Sequence, residues 1–154
     1  MKKYMILLLA IGFSIMSQAQ LIKYGNWEIN LDRDTKLLSI KNQGNVLLQD
    51  VYASASFAFD GTETLTTYKS SNAFAVGFSN EEASSCFGNG QRYSYIYRFG
   101  NGLVMTQTFE FYNNDNSFIT QLSLSTDART STIKSNHLVP LATETSQAIM
   151  PNDR

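Results

Sequence analysis

The chain has 154 residues and carries 13 acidic against 12 basic side chains, a net charge of −1. This nearly neutral balance provides no electrostatic attraction for nucleic acid or for an anionic membrane surface, so both partners are set aside. The length suits one domain with a hydrophobic core, and the single cysteine, Cys86, excludes an internal disulfide.

The first 19 residues have the pattern of a secretory signal peptide. Two lysines near the start precede an apolar run at 5–16 and a small-x-small cleavage site that ends at Ala19. The apolar run is about 12 residues long, whereas a helix that spans a bilayer needs roughly 20. We therefore expect cleavage after Ala19 and a periplasmic or extracellular protein with no membrane attachment.

Beyond residue 20 the chain is predicted to be all-β. From Gly25 onward apolar and polar residues alternate with period two, turn residues recur at short intervals, and no helical periodicity persists beyond about two turns. The two prolines, Pro140 and Pro151, are predicted to lie beyond the last strong strand, where neither can interrupt a ladder of hydrogen bonds.

The first predicted hairpin joins the segments "NWEINL" and "KLLSIK". A four-residue turn at 32–35 sets Ile29 opposite Leu38 and Trp27 opposite Ile40, a register that buries all four side chains. The next predicted strand, "VLLQDVYASASFAF", presents one apolar face made of Val51, Ala53, Ala55, Phe57 and Phe59.

The register of the late hairpin follows from its hydrophobic pattern. A three-residue loop at 100–102, with its last glycine in the left-handed region, sets Tyr97 opposite Met105 and Tyr93 opposite Phe109. A two-residue Asn-Gly turn would instead set the tyrosine row against threonines. The hydrophobic pattern favours the three-residue loop.

A further loop at 113–116 sets Phe111 opposite Phe118 and Met105 opposite Leu124. One side of this predicted meander, called the aromatic face below, carries Tyr93, Tyr95, Tyr97, Phe99, Leu103, Met105, Phe109, Phe111, Phe118, Leu122 and Leu124. The opposite side carries Arg92, Arg98, Thr106, Thr108, Glu110, Gln121 and Ser123.

A sheet with one apolar side needs a second layer over that side, so we predict an antiparallel β-sandwich. Exposed rings could instead form a platform for sugars. Aromatic residues at period two on one side of a central strand are more typical of a core. We therefore expect Tyr95, Tyr97, Phe109 and Phe111 to be buried.

Candidate catalytic and metal-binding residues are few. His137 is the sole histidine, and neither it nor Cys86 lies in a strained-turn motif of a nucleophile. His137 is expected at the surface, at a strand end, and Cys86 as a buried or loop thiol. One His and one Cys are too few for zinc, and Asp32 and Asp34 are more typical of turn chemistry than of a calcium site.

The remaining motifs provide no chemistry either. Segments 88–90 and 100–102 are predicted to be hairpin turns, because each opens a strand rather than a helix. Most of the acids are predicted to lie in turns or on the polar face, and no two of them stand out as a glycosidase pair. The acids considered are Glu63, Glu81, Glu82, Glu110, Asp115, Asp127 and Glu144. No catalytic, cofactor-binding or metal-binding residue is assigned, and no cofactor is expected.

The order "GNWEINLDRDTKLLSIKNQGNVLLQDVYASASF", then the aromatic meander, then "TIKSNHLVPL" resembles the N-terminal β-sandwich of bacterial α-galactosidase-like enzymes of the family 36 and raffinose-synthase type. The resemblance covers most of the chain after residue 19 and includes the segment "SN-x-L-x-P-L" from Ser135 to Leu141. It implies a supersandwich-like domain, incomplete here, that precedes a (β/α)8 barrel carrying two catalytic aspartates. None of the family's catalytic residues has a counterpart in this sequence.

The expected organisation is a signal peptide at 1–19, a β-sandwich at 20–141 and a segment at 142–154 that is a polar tail or the start of a truncated continuation. The resemblance implies the non-catalytic portion of a secreted glycoside hydrolase that acts on α-galactosides, inactive alone and partnered by the barrel. The alternative is a stand-alone carbohydrate-binding or surface interaction module, with an oligosaccharide as partner. A free-standing enzyme built on His137 or a carboxylate pair is the third hypothesis.

Overall fold

The computed structural model describes residues 20–59, 64–113, 115–126 and 133–144. Several predictions fall outside the described residues. They concern the signal peptide, residues 145–154 of the tail, Pro151, Glu63, Asp127 and the Phe59 side chain. The strands are β1 (Leu21–Tyr24), β2 (Trp27–Leu31), β3 (Leu38–Asn42), β4 (Asn45–Phe59), β5 (Thr66–Lys69), β6 (Ala75–Ser85), β7 (Gly88–Arg98), β8 (Leu103–Tyr112), β9 (Phe118–Thr126) and β10 (Ile133–Ala142). A single turn of 3-10 helix, Ser70–Asn72, joins β5 to β6.

The strands form two antiparallel sheets, which confirms the predicted all-β sandwich. The first sheet has the order β1-β2-β3-β4-β10, with β5 paired to β4, and the second has the order β6-β7-β8-β9. The long strand β4 pairs with β3 through its first half and with β5 and β10 through its second half. The two pairings meet near Asp50, which has a φ of 54° beside register shifts in the β3–β4 ladder. A bulge here lets one strand change partners.

The predicted register of the first hairpin was wrong by two residues. Ile29 pairs with Ile40, and Leu31 pairs with Leu38. Because side chains alternate with period two, a shift of two residues keeps every side chain on its predicted face. Ile29, Leu31, Leu38 and Ile40 are buried, whereas Trp27, which was also expected to be buried, is only partly so.

The shift arises because the turn after β2 is longer than four residues. Oδ1 of Asp32 accepts hydrogen bonds from the backbone N–H groups of Asp34 (2.9 Å) and Thr35 (2.8 Å). Lys36 then takes a φ of 57°, and the N–H of Asp32 bonds to the carbonyl of Leu37 at 2.9 Å. The Asp32 carboxylate thus stabilises a six-residue loop, which confirms the expected turn chemistry.

The predicted meander is confirmed for β7, β8 and β9. Tyr97 pairs with Met105 and Tyr93 with Phe109, and the loop between β7 and β8 ends at Gly102 with a φ of 79°. The pairing of β8 with β9 also matches, as Phe111 faces Phe118, Phe109 faces Thr120 and Met105 faces Leu124. The pairing of β6 with β7, which adds a fourth strand to this sheet, was not predicted.

The aromatic face is the inner face of the second sheet. Tyr95, Tyr97, Phe109 and Phe111 are each 0% exposed, as expected from the sequence. The first sheet covers them: the Tyr24 ring stacks on Phe111 at 5.1 Å, and the Tyr95 hydroxyl donates to the Gln20 carbonyl at 2.6 Å. The aromatic rings therefore form the core between the sheets rather than an exposed platform.

Two of the predicted strand boundaries need correction. Pro140 lies within β10, not beyond the last strand, at a register shift between Val139 and Ala142. Because β10 is the last strand in the order of its sheet, the missing backbone N–H of Pro140 does not interrupt the hydrogen bonds between central strands. Segment 88–90 opens β7, and the turn before it consists of Cys86 and Phe87.

Two polar side chains of β8 are buried, and the burial of Glu110 was not expected. Gln107 lies on the aromatic face and is 0% exposed, while Glu110, on the side predicted to be wet, is 5% exposed. Both are compatible with burial because each makes hydrogen bonds to several groups.

Candidate functional site

The structure separates the two most reactive residues that the sequence singled out. His137 is exposed on β10 of the first sheet, opposite Ser56, within the strand rather than at its end. Cys86 is exposed in the turn between β6 and β7 of the second sheet. The two side chains belong to different sheets, so they do not form a Cys-His pair.

A metal centre finds no support in the part of the chain that the structure describes. Within these residues no group of three or more His, Cys, Asp or Glu side chains comes together. Hydrogen bonds from the backbone and the hydroxyl of Thr35 hold the pKa of Asp32 below its usual range, because they stabilise the ionised form. Asp32 is thus a turn residue.

Among the described acids, Glu81 and Glu110 form a cluster with Arg92 on the outer face of the second sheet. Nε of Arg92 donates to Oε1 of Glu110 at 2.7 Å, and Nη1 of Arg92 donates to Oε1 of Glu81 at 2.9 Å. The Tyr112 hydroxyl donates to Oε2 of Glu110 at 2.7 Å. This cluster links β6, β7 and β8 across the sheet.

The cluster is unsuited to acid–base catalysis. Burial alone would raise the pKa of Glu110, but the hydrogen bonds from Tyr112 and Arg92 outweigh it, and the pKa is lowered. A general acid in a glycosidase needs a raised pKa and a neutral carboxyl group. Because Arg92 is bonded to both Glu110 and Glu81, we assign the cluster to the stability of the sheet.

The other acids have local partners or lie in the open. Oδ1 of Asp115 accepts from the backbone N–H of Ser117 at 3.1 Å within the β8–β9 loop. The carboxylate of Glu144 pairs with Lys69, whose ammonium group lies 5.1 Å from the centre of the Tyr52 ring. Glu82 is exposed on β6.

A polar groove of about 570 Å³ lies at the end of the sandwich where β6 turns into β7. The residues that line it, called the polar groove below, are Glu82, Ala83, Ser84, Asn89, Gly90, Gln91 and Asn113. Its volume falls within the roughly 300–1,000 Å³ of small-molecule sites. It is therefore the strongest candidate for a binding site in the described part of the chain.

The position of the groove follows from strand pairing. Glu82 pairs with Gln91, and Ser84 pairs with Asn89, so their side chains lie on the same side of the sheet as the aromatic face. The backbone N–H of Asn113 donates to the carbonyl of Asn89 at 3.0 Å and places Asn113 beside them. At this end of the sandwich the inner face of the second sheet changes from aromatic to polar.

Two hydrogen bonds fix the amide side chains of the groove. The Ser84 hydroxyl donates to Oδ1 of Asn89 at 3.1 Å, and the Tyr24 hydroxyl donates to Oδ1 of Asn113. Tyr24 in turn stacks on Phe111, at the boundary between groove and core. Through Tyr24 the groove is therefore connected to the core of the sandwich.

Gly90 is required at the base of the groove. A Cβ atom at this position would lie 1.8 Å from the carbonyl oxygen of Phe111, a distance that no side chain can adopt. The absence of a side chain thus lets β7 and β8 approach each other here.

The inner face of β6 is only partly covered. Phe78 is 39% exposed, although its ring stacks on Tyr93 at 6.3 Å and lies 5.4 Å from the Tyr95 ring. Asn80, Glu82 and Ser84, further along the same face, are exposed as well. The groove was not predicted from the sequence, because these polar residues hide the period-two pattern of β6.

Comparison with known proteins gave no match to a family model, to a curated protein or to a solved structure. In the part of the chain that the structure describes, no helix is long and apolar enough to cross a membrane.

Proposed function

We propose that this chain is the non-catalytic β-sandwich portion of a secreted glycoside hydrolase that acts on α-galactosides. In this proposal the sandwich supports a catalytic barrel, which provides the residues for hydrolysis. The proposal joins the family resemblance of the sequence to one structural observation, the partly uncovered apolar half of β6.

The first half of β6 and the residue before it expose large apolar side chains. Phe74 is 69% exposed and Phe78 is 39% exposed. Among the described residues β6 pairs with β7 only, and an 11-residue strand at the edge of a sheet offers many backbone groups for pairing. A neighbouring domain that covered Phe78 would extend the stack of the Phe78, Tyr93 and Tyr95 rings. This supports the proposal that the first half of β6 forms an interdomain contact.

The acid cluster supports a non-catalytic role. The buried carboxylate Glu110 is already ionised and paired with Arg92, which also pairs with Glu81. These groups are committed to each other, and in this proposal the barrel supplies the carboxyl groups for hydrolysis.

The first test is an assay of the purified chain with a chromogenic α-galactoside. The expected result is no hydrolysis above the buffer rate. Measurable turnover that is lost in Glu110→Gln would contradict the proposal, because it would place a catalytic acid in this sandwich.

The second test uses Phe74 and Phe78 in the gene product that contains this chain. We expect Phe74→Ser with Phe78→Ser to leave the melting temperature of the isolated chain within a few degrees, since both side chains are partly exposed. In a longer product with a barrel, the same double variant should lower the melting temperature or separate the two unfolding transitions. A coding sequence after Arg154 with no alternating βα pattern would count against the barrel.

A further inference from the structure

The polar groove presents uncharged groups that both donate and accept hydrogen bonds. Asn89, Gln91 and Asn113 each carry an amide with a carbonyl oxygen and an NH2 group, and Ser84 adds a hydroxyl. A sugar ring presents the matching set, because each of its hydroxyl groups donates one hydrogen bond and accepts others.

The groove is held in place before any ligand arrives. Oδ1 of Asn89 accepts from Ser84, and Oδ1 of Asn113 accepts from Tyr24, so both amide planes have a defined orientation. Groups that are already ordered lose less conformational entropy on binding. The half-buried Tyr24 ring, stacked on Phe111, adds an apolar surface beside the amides.

The charges of the groove exclude other ligand classes. None of the seven residues that line it is cationic, and Glu82 contributes a carboxylate, so a phosphate or another anion would be repelled. The nearby guanidinium of Arg92 is on the opposite side of the sheet and is held by Glu81 and Glu110. A lipid is disfavoured because it would leave the amide groups unpaired.

We infer that the polar groove binds a neutral oligosaccharide, with the side chains of Asn89, Gln91, Asn113 and Glu82 bonding to its hydroxyl groups. This goes beyond the proposed support of a catalytic domain, and it assigns the sandwich a sugar-binding site of its own. The site would hold the chain on a glycan rather than cleave it.

The inference is tested by titration of the purified full chain with melibiose, raffinose, maltotriose and cellotriose, followed by calorimetry. We expect saturable binding to at least one of these sugars. Gln91→Ala and Asn89→Ala, each checked for folding by circular dichroism, should weaken that binding about fivefold or more, the effect of one lost hydrogen bond. The matched control is Gln121→Ala, an exposed glutamine on the outer face of the same sheet, which should leave the affinity unchanged.

Three results would overturn the inference. One is the absence of saturable binding to all four sugars by folded protein, and another is full affinity in both groove variants. The third is tighter binding of spermidine than of any sugar, with loss in Glu82→Gln, which would make the groove a site for cations. These readouts measure binding by the isolated chain, so they are independent of the assay for α-galactoside hydrolysis.

Discussion

The Tyr97 hydroxyl donates a hydrogen bond to Oε1 of Gln107 at 3.0 Å, between side chains that are both 0% exposed. Nε2 of Gln107 donates in turn to the carbonyl of Pro140 at 2.6 Å. Gln107 therefore connects β8 of the second sheet to the irregular part of β10 in the first. A polar side chain in the aromatic core thus helps to fix how the two sheets are placed against each other.

Replacing Gln107 should destabilise the sandwich about as much as truncating an apolar side chain in a core does. In Gln107→Leu the Tyr97 hydroxyl and the Pro140 carbonyl both lose a buried partner, and each unpaired group costs about 1–3 kcal/mol. We expect the free energy of unfolding in urea to fall by about 2–4 kcal/mol. Gln121→Ala on the outer face is the control and should change it by less than about 0.5 kcal/mol. Equal stability of Gln107→Leu and the parent chain would show that the bridge between the sheets contributes nothing.

Gly90 and Gly100 should differ sharply in their tolerance of alanine. The Cβ of Gly90→Ala would lie 1.8 Å from the Phe111 carbonyl oxygen, so β7 must move away from β8. We expect a loss of more than about 3 kcal/mol, or failure to fold. No atom lies within 4 Å of a Cβ at Gly100, and Gly100→Ala should change the stability by less than about 1 kcal/mol. Thermal denaturation of both variants tests this difference. Similar melting temperatures would contradict the close approach of β7 and β8 at Gly90.

The meander was predictable because two independent signals agreed. The glycines of loop 100–102 limited the turn types, and only one of them brought Tyr97 opposite Met105 on an apolar face. In the first hairpin the hydrophobic pattern predicted the correct face for each side chain but not the register of β2 with β3. The reason is that the Asp32 carboxylate stabilises a longer loop, while a shift of two residues leaves the hydrophobic pattern unchanged.

The candidate site was harder to find from the sequence than the core. Asn80, Glu82 and Ser84 lie on the same side of the sheet as the aromatic face, yet they are exposed, so β6 shows no apolar alternation. The burial of Glu110 was equally difficult to predict from the sequence. It depends on Arg92, which lies on the paired strand β7, and on Tyr112, which lies two residues further along β8. Such features depend on which strand pairs with which, and a local pattern does not contain this information.

Alkaline pH should unfold the protein through its buried tyrosines. Burial raises the pKa of Tyr95 and of Tyr97 far above the ordinary value of 10.0, because ionisation would place a charge in the core. Below pH 10 neither folded nor unfolded chains have ionised these groups, so their contribution is fully present. Above pH 10 the unfolded chain loses both protons while the folded chain keeps them, and stability should fall by about 1.4 kcal/mol per pH unit for each tyrosine.

Urea unfolding between pH 9 and pH 11.5 measures this slope. Tyr95→Phe should remove about half of the tyrosine contribution, since Tyr97 still titrates only in the unfolded chain. Other groups that titrate in this range are common to both proteins and cancel in the comparison. A slope that is identical in Tyr95→Phe and the parent chain would argue against a buried, neutral Tyr95.

Acid should weaken the cluster around Glu110. The hydrogen bonds from Tyr112 and Arg92 lower the pKa of Glu110 in the folded chain against the opposing effect of burial, so its contribution is present above the ordinary value of 4.5 and is lost as pH falls through the folded pKa. At pH 7 we expect Glu110→Gln to reduce the free energy of unfolding by about 1.5 kcal/mol, the size of a charged hydrogen bond. The difference from the parent chain should shrink below pH 4. The control Glu82→Gln, at an exposed position, should change the free energy of unfolding at pH 7 by less than about 0.5 kcal/mol. A penalty in Glu110→Gln that is unchanged at low pH would contradict this role.

The burial of the aromatic face is tested most directly by the free energy of unfolding of Phe109→Ala, measured in urea beside Phe74→Ala. Phe109 is 0% exposed between the sheets, whereas Phe74 is 69% exposed. The structure predicts a loss of about 3–5 kcal/mol for Phe109→Ala and less than about 1 kcal/mol for Phe74→Ala. A Phe109→Ala variant as stable as the parent chain would contradict the two-sheet core, and with it the placement of every site described above.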